Sequence, residues 1–276
     1  MLSKNIGLIG LGVLGKAHYN WLDEKKEHNI KTYDIKNNDK LDDLKDCDYI
    51  FIAVPTDSNE KGELDIKIIE LILEEIKTLD IKAKIIIRST LPIGTTKDFR
   101  DRYNLEVYFM PEFLTERFAV EEFKQPNILL LGGVDTKETV FVLKDLVENK
   151  IVPMASKVIA GKSDNMEAVK LFTNSFYALK VIFANELNSY CEKIGLKYND
   201  IKDILVQDPR IGSDIGDLSG VDVHFRIAQD GKAGFGGKCL PKDLSEVVSG
   251  IKKTKAGFGL LEKVEKINKK IRPIDK

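Results

Sequence analysis

The chain has 276 residues, with 43 Lys and Arg against 44 Asp and Glu, and a formal net charge of -1. That balance excludes a strongly basic chain, and nothing in it calls for nucleic acid or an anionic membrane. The length suits one large domain or two ordinary ones, with room for a sizeable core. Three cysteines, none in a CxxC pair, argue against a structural zinc site and suit a reducing compartment, so no metal is expected. The N-terminus reads straight into a strand and no apolar run is long enough to span a bilayer, which together give the expectation of a cytoplasmic chain.

In chain order, Asn5–Ile9 reads as a strand running into Gly10-Leu11-Gly12-Val13-Leu14-Gly15, after which residues 16–22 read as helix. A second strand over 30–34 ends in Asp34, at the spacing of about 20 residues that a dinucleotide-binding turn shows between its glycines and its ribose-binding acid. Gly10 then makes the tight turn, Gly12 lets backbone approach a pyrophosphate, and Gly15 lets helix and strand pack. The helix N-terminus favours the phosphate charge. Asp34 accepts from a ribose 2′-hydroxyl and repels a 2′-phosphate, which selects NAD over NADP.

A buried strand over 48–56 follows, then a helix over 66–79 and a strand over 84–88. The latter ends in Ser89-Thr90-Leu91-Pro92-Ile93-Gly94-Thr95-Thr96. Hydroxyls at that strand end face the crevice where open α/β sheets bind ligands. Thr95 and Thr96 suit a helix cap, leaving Thr90 as the site candidate. A strand over 106–109 precedes Met110-Pro111-Glu112-Phe113-Leu114-Thr115-Glu116. Glu112 and Glu116 share a face if that segment is helical, and either hold a water for acid-base work or sit as first-turn acids. A strand over 127–131, a helix over 137–147 and a strand at 157–159 complete a first domain, 1–161.

The remaining part, 162–276, reads as helical. Ser163 or Asp164 can cap a helix running to about 194, with Val169, Phe172, Phe176, Leu179, Ile182, Phe183 and Leu187 at helical packing intervals. Lys170 and Asn174 project from one face, and Lys170 is either snorkelling along apolar surface or a site residue. A Gly- and Asp-rich connection over 208–231 contains Arg210, His224 and Arg226, and is long for a structureless loop. Next comes Gly234-Phe235-Gly236-Gly237-Lys238-Cys239-Leu240-Pro241-Lys242-Asp243. A thiol between two lysines at a glycine turn and a helix start is expected to favour the thiolate. On its own, Cys239 reads either as a nucleophile or as a small residue filling a glycine corner.

The GLGVLG turn, FIAVPT, RSTLPIGTT, PEFLTE, EAVKLFTNSFYALKVIFANEL, DPRIG and GFGGKCLPKD occur in an order that resembles the nucleotide-sugar dehydrogenase family, of the UDP-glucose 6-dehydrogenase type, across almost the whole chain. The resemblance implies an N-terminal Rossmann-like doubly wound sheet followed by an all-helical central and dimerisation domain. It implies NAD-dependent oxidation of a sugar 6-hydroxyl to the carboxylate, as in polysaccharide biosynthesis, through a cysteine thiohemiacetal and thioester. Cys239 corresponds to the nucleophile, Lys170 and Asn174 to the oxyanion donors, and Asp243, Thr90 and Glu112 to the groups that position or deprotonate the hydrolytic water. Glu116 matches the family's second glutamate and Arg210 its sugar-nucleotide arginine.

By the same resemblance Val13, Leu14, Val54, Pro55 and Thr56 join the cofactor set, and Phe113, Leu114, Phe235, Gly236 and Gly237 the substrate set. A homodimer through the 164–194 helix and a nucleotide-sugar substrate are implied, with no nucleic-acid or membrane partner. Met110 stands where the family has asparagine and Arg117 where it has glycine, and the chain ends where the resemblance would begin a C-terminal UDP-binding domain, which leaves two expectations open: activity alone on an unusual substrate, or with a separately encoded C-terminal domain. Two other readings remain open: a two-electron 3-hydroxyacid-type dehydrogenase, which needs no cysteine, and a catalytically silent NAD-binding dimer.

Overall fold

The protein is described by a computed structural model covering residues 3–37, 39–208, 211, 224, 226–228, 230–256 and 258–272. Strands β1 (Asn5–Ile9), β2 (Asn29–Tyr33), β3 (Tyr49–Ile52), β4 (Lys84–Ile87), β5 (Val107–Phe109), β6 (Ile128–Gly133) and β7 (Lys157–Lys162) form one sheet in the order β2-β1-β3-β4-β5-β6-β7. Every neighbouring pair is parallel except β5 with β6. β3 is Tyr-Ile-Phe-Ile and β4 Lys-Ile-Ile-Ile, the continuous apolar runs expected of strands covered on both faces.

The two-residue alternation of a strand divides those side chains between two cores. Ile50, Ile52, Ile85, Ile87, Val107 and Phe109 pack on one face with Ile69, Leu73 and Ile76 of α2 (Lys67–Thr78) and Phe99 of α3 (Thr95–Tyr103). Tyr49, Phe51, Ile86 and Tyr108 pack on the other with Leu22 of α1 (Val13–Lys25) and Val142, Leu143 and Leu146 of α5 (Thr136–Glu148). Between β5 and β6 lies the short α4 (Ala119–Lys124).

The helical part comprises α6 (Ser163–Lys193), α7 (Tyr198–Leu205), α8 (Leu240–Thr254) and α9 (Leu260–Ile271). Its main core holds Ala178, Val181, Ile182, Phe235, Leu244, Val248 and Val264. Of the apolar positions that spacing nominates on α6, Ile182 is buried, but Val169, Phe172, Phe176 and Phe183 are exposed. This helix carries apolar residues all round, so periodicity alone did not select the covered face. α6 also starts at Ser163 itself, directly after β7, so neither Ser163 nor Asp164 precedes it as a cap.

The chain forms two compact units, Met1–Thr56 with Asp65–Lys170, and Asp57–Leu64 with Leu171–Lys276. The division falls inside α6 and not at 161, because the first turns of that helix belong to the sheet unit. Met166 enters the sheet's core, and Glu167 and Lys170 bond to its loops. The segment Asp57–Leu64, between β3 and α2 in sequence, is built into the helical unit.

Candidate functional site

In the sheet unit, candidate residues gather at the C-terminal ends of β1, β3, β4 and β5, as they do in open α/β sheets. Gly10 has φ 87°, and a Cβ there would lie 2.6 Å from the Ala53 carbonyl oxygen. A Cβ on Gly15 would lie 1.9 Å from the Gly10 oxygen, so that position admits only glycine. A Cβ on Gly12 would meet nothing within 4 Å, which leaves this side of the turn open for a ligand. α1 begins at Val13 with no side-chain cap and no acid in its first turn, so its leading N–H groups are available to an anion.

One Asp34 carboxylate oxygen accepts from the Leu11 N–H at 2.8 Å and the other from the Lys36 N–H at 3.0 Å. These bonds, Leu11's foremost, hold its carboxyl below the usual range. An ionised carboxylate has about four acceptor sites, so capacity remains for a diol. Substituting Asp34→Ala should bring NADP affinity to within about tenfold of NAD affinity, read by fluorescence titration of both cofactors, since removing one charged hydrogen bond and its repulsion is worth about 1.5–3 kcal/mol.

Ser89 organises the next loop. Its hydroxyl donates to the Val54 carbonyl at 2.7 Å and accepts from the Val54 N–H at 2.9 Å. Thr56 and Thr90 are buried nearby in sequence and Pro55 is exposed. Ser89, and not only the Thr90 that the strand-end position nominates, is thus a structural residue of this loop. Thr95 and Thr96 do not cap α3 with their own side chains. The cap residue is Gly94, and the buried Glu167 carboxylate accepts from the Gly94 N–H (2.6 Å), the Thr96 N–H (2.8 Å) and the Thr96 hydroxyl (2.6 Å). Burial nevertheless pushes the Glu167 carboxyl up. Glu167→Ala should lower unfolding free energy by about 2–3 kcal/mol in urea titration, because buried donors lose their acceptor.

Glu112 and Glu116 do not share a helical face. Residues 110–115 are non-helical, and Glu116 is exposed at the start of a 3-10 turn, Glu116–Phe118. Glu112 turns inward. Lys170 Nζ donates to its Oε1 at 3.0 Å and to its backbone carbonyl at 2.7 Å, and lies 5.4 Å from the Phe113 ring centre. The Leu114 N–H donates to Oε2 at 2.6 Å. Burial alone would raise the Glu112 carboxyl; the Lys170 charge, the Leu114 N–H and the Arg88 charge outweigh it and hold the group below its usual range. Arg88 is itself buried, its guanidinium pushed down to about 10 by burial, and its Nε has no hydrogen-bond partner among the described residues. His18, beneath the turn, is pushed down to about 3 by burial and by Arg88, so it is neutral; its Nε2 is 2.9 Å from the Ile151 carbonyl oxygen.

In the helical unit, Cys239 is the exposed residue immediately before α8, which has Pro241 in its first turn. Asp243, fully buried one turn on, accepts from the Asn174 side-chain amide and from Lys242 Nζ at 2.7 Å, and its N–H donates to the Cys239 carbonyl at 3.1 Å. Gly237 has φ 74° and Phe235 is buried. Arg210 lies outside the described residues. The segment Asp57–Leu64 folds on itself through a Ser58–Leu64 bridge. It docks on α8 through the Leu64 N–H to the half-buried Glu246 (2.6 Å) and the Glu63–Lys253 ion pair (2.6 Å). Sequence carried no signal for that docking beyond a polar stretch with a glycine.

Residues 20–151 match the model of the UDP-glucose/GDP-mannose dehydrogenase family NAD binding domain, and residues 164–270 that of the same family's central domain. The chain belongs to this family. A UDP-glucose 6-dehydrogenase of Campylobacter jejuni is 32% identical over 233 residues, covering 81% of this chain and 56% of that protein. The chain spans little more than half the length of the curated relatives it matches. A UDP-glucose dehydrogenase from Pyrobaculum islandicum superposes with TM-score 0.81 at 21% identity over 97% of this chain and 68% of that one. A 3-hydroxyisobutyrate dehydrogenase of Mycobacterium tuberculosis superposes with TM-score 0.71 at 17% identity over 98% of this chain and 94% of that one.

The family's NAD binding domain is the sheet unit, and the open side at Gly12, the uncapped start of α1 and the Asp34 carboxylate fit a dinucleotide without a 2′-phosphate. Met110, in place of the family's asparagine, is fully buried in the core with Tyr108. Among the described residues no helix is long and apolar enough to cross a membrane, and no group of three or more His, Cys, Asp or Glu is placed to hold a metal.

Proposed function

We propose that this chain carries out NAD-dependent oxidation of a nucleotide sugar of the UDP-glucose type, converting the 6-hydroxyl to the carboxylate through a thioester on Cys239. The observation that carries the reading is an exposed thiol at the start of α8, followed one turn later by a buried aspartate held by an asparagine of α6. The Gly10–Gly15 turn and Asp34 would hold NAD, which would supply a two-electron hydride acceptor, one molecule for each of the two oxidations. The C6 hydroxyl gives up its proton as C6 is oxidised to the aldehyde. The Cys239 sulfur then bonds to C6, giving a thiohemiacetal whose oxyanion Lys170 and Asn174 stabilise. Oxidation at C6 leaves the thioester. Water adds, the C–S bond breaks, and the acid leaves with the thiolate restored, the water's protons passing to groups such as Asp243 or Glu112.

In this reading Thr90 and Glu116 assist at the cofactor and substrate sides, and Phe113, Leu114, Arg210, Phe235, Gly236 and Gly237 contact the sugar nucleotide. The exposed apolar residues of α6, Phe172, Phe176 and Phe183, form a homodimer face in a cytoplasmic enzyme. A C-terminal domain completes the sugar-nucleotide pocket.

Incubation of purified protein with NAD and UDP-glucose, with and without a supplied C-terminal domain, should generate reduced cofactor and acid in a two-to-one ratio. No turnover on any nucleotide sugar in either arm defeats the reading. The fold likeness to a hydroxyacid dehydrogenase keeps a second reading in play, in which one reduced cofactor forms per substrate and Cys239 is dispensable.

A further inference from the structure

The turn that carries Cys239 is held from a distance. The side-chain amide of Asn268, on α9 and 9% exposed, makes two bonds to one residue of that turn. Its Oδ1 accepts from the Phe235 N–H at 2.8 Å and its Nδ2 donates to the Phe235 carbonyl at 3.0 Å. Such a pair replaces the two bonds a neighbouring strand would give, and fixes both the position and the rotation of the backbone. The adjoining Gly234 has φ 74°, and a Cβ there would lie 2.3 Å from Asn268 Oδ1, so the clamp closes only over glycine. The Gly234 N–H donates to Asn185 Oδ1 at 3.2 Å, and the Phe235 ring is sunk in the helical core.

One turn after Asn268, the Arg272 guanidinium pairs with Asp230 and reaches the Lys232 and Ala233 carbonyls at 3.4 Å. A Cβ on Gly236 would lie 2.4 Å from its Nη2. The glycines at 234 and 236 are therefore the spaces into which Asn268 of α9 and Arg272 at its C-terminal end insert their polar side chains. Cys239 follows, immediately before α8.

We propose that Asn268 is a positioning residue for the reaction, clamping the Phe235 backbone so that the turn presents the Cys239 thiol at the α8 N-terminus in a fixed orientation. The function assigned to that thiol rests on the reading above; the clamp itself does not. Thiolate character and access at a helix N-terminus depend on that orientation, and misplacement of a reacting group by about 1 Å can cost about 10²-fold in rate.

The test is peptide-resolved alkylation of the intact protein by iodoacetamide, across pH, with Cys47 and Cys191 as internal reporters. Both are buried and react only on unfolding, one in each compact unit. Asn268→Ala should slow Cys239 alkylation near neutral pH by about tenfold or more while Cys47 and Cys191 stay protected. In turnover it should lower kcat about 10²-fold and leave the KM for NAD within about twofold. Asn268→Asp, which keeps the acceptor and loses the donor, should fall between it and the parent. Unchanged Cys239 alkylation with the reporters protected overturns the proposal. So does exposure of the reporters in both variants, since Asn268 would then hold the fold and not the turn. If Cys239→Ser retained full turnover, the proposed function would fail while the alkylation result still judged the clamp.

Discussion

Replacing Cys239 by serine should stop carboxylate production, with kcat for the four-electron reaction falling about 10³-fold or more. NAD affinity should be unchanged, because the Gly10–Gly15 turn and Asp34 are untouched by the substitution. A serine hydroxyl is a far weaker nucleophile at neutral pH than a thiolate and forms no thioester. Mass spectrometry of the native protein incubated with a substrate-derived aldehyde should locate an adduct on the Cys239 peptide, and on neither Cys47 nor Cys191, which are buried. Full activity in the serine variant would place the chain with the two-electron dehydrogenases, whose fold it shares.

The second large effect belongs to Lys170 and Glu112. Lys170→Met leaves a buried carboxylate with its main counter-charge gone, and should cost about 3–5 kcal/mol in urea unfolding together with most of the activity. Lys170→Met combined with Glu112→Gln should recover much of the stability and none of the turnover, which separates pairing from chemistry. The pH dependence follows from the direction of the Glu112 shift. Its folded carboxyl titrates below its unfolded value, so the stabilisation is complete above the ordinary carboxylate range and is lost as pH falls through the lowered folded value. The double variant should lack that contribution to the acid limb of a stability profile measured by urea titration at successive pH values.

The sheet was legible because its signals are local. The Gly10–Gly15 turn, the acid at Asp34 and the isoleucine-rich strands each announce themselves within a few residues. The start of α8 directly after Cys239 likewise agrees with the helix start that the sequence places at the glycine turn. What stayed hidden was every interaction between distant residues. Glu167 caps a helix some seventy positions earlier, Asn268 holds Phe235, and Glu246 receives the Leu64 N–H. No periodicity encodes such bonds, since a lone buried polar residue in a helix has the same local pattern whatever it touches. The pair Glu112 and Glu116 failed for a related reason. Four-residue spacing unites two side chains only on a helix, and Pro111 with the non-helical backbone after it sends them apart.

The segment Asp57–Leu64 also bears on how the gene can be divided. The polypeptide leaves the sheet unit after Thr56, returns at Asp65 and leaves again after Lys170. A helical fragment expressed from Leu171 onward would therefore lack eight residues of its own structure, with Leu64 missing from its cluster with Leu171 and Val247, and the half-buried Glu246 deprived of its donor. A sheet fragment ending at Lys170 would carry those eight residues as a loop without the helix it docks on, with the apolar Leu64 at its base. Neither half is a contiguous stretch of sequence, so the two should be obtained only as a single translation product or by circular permutation, and not by splitting the reading frame.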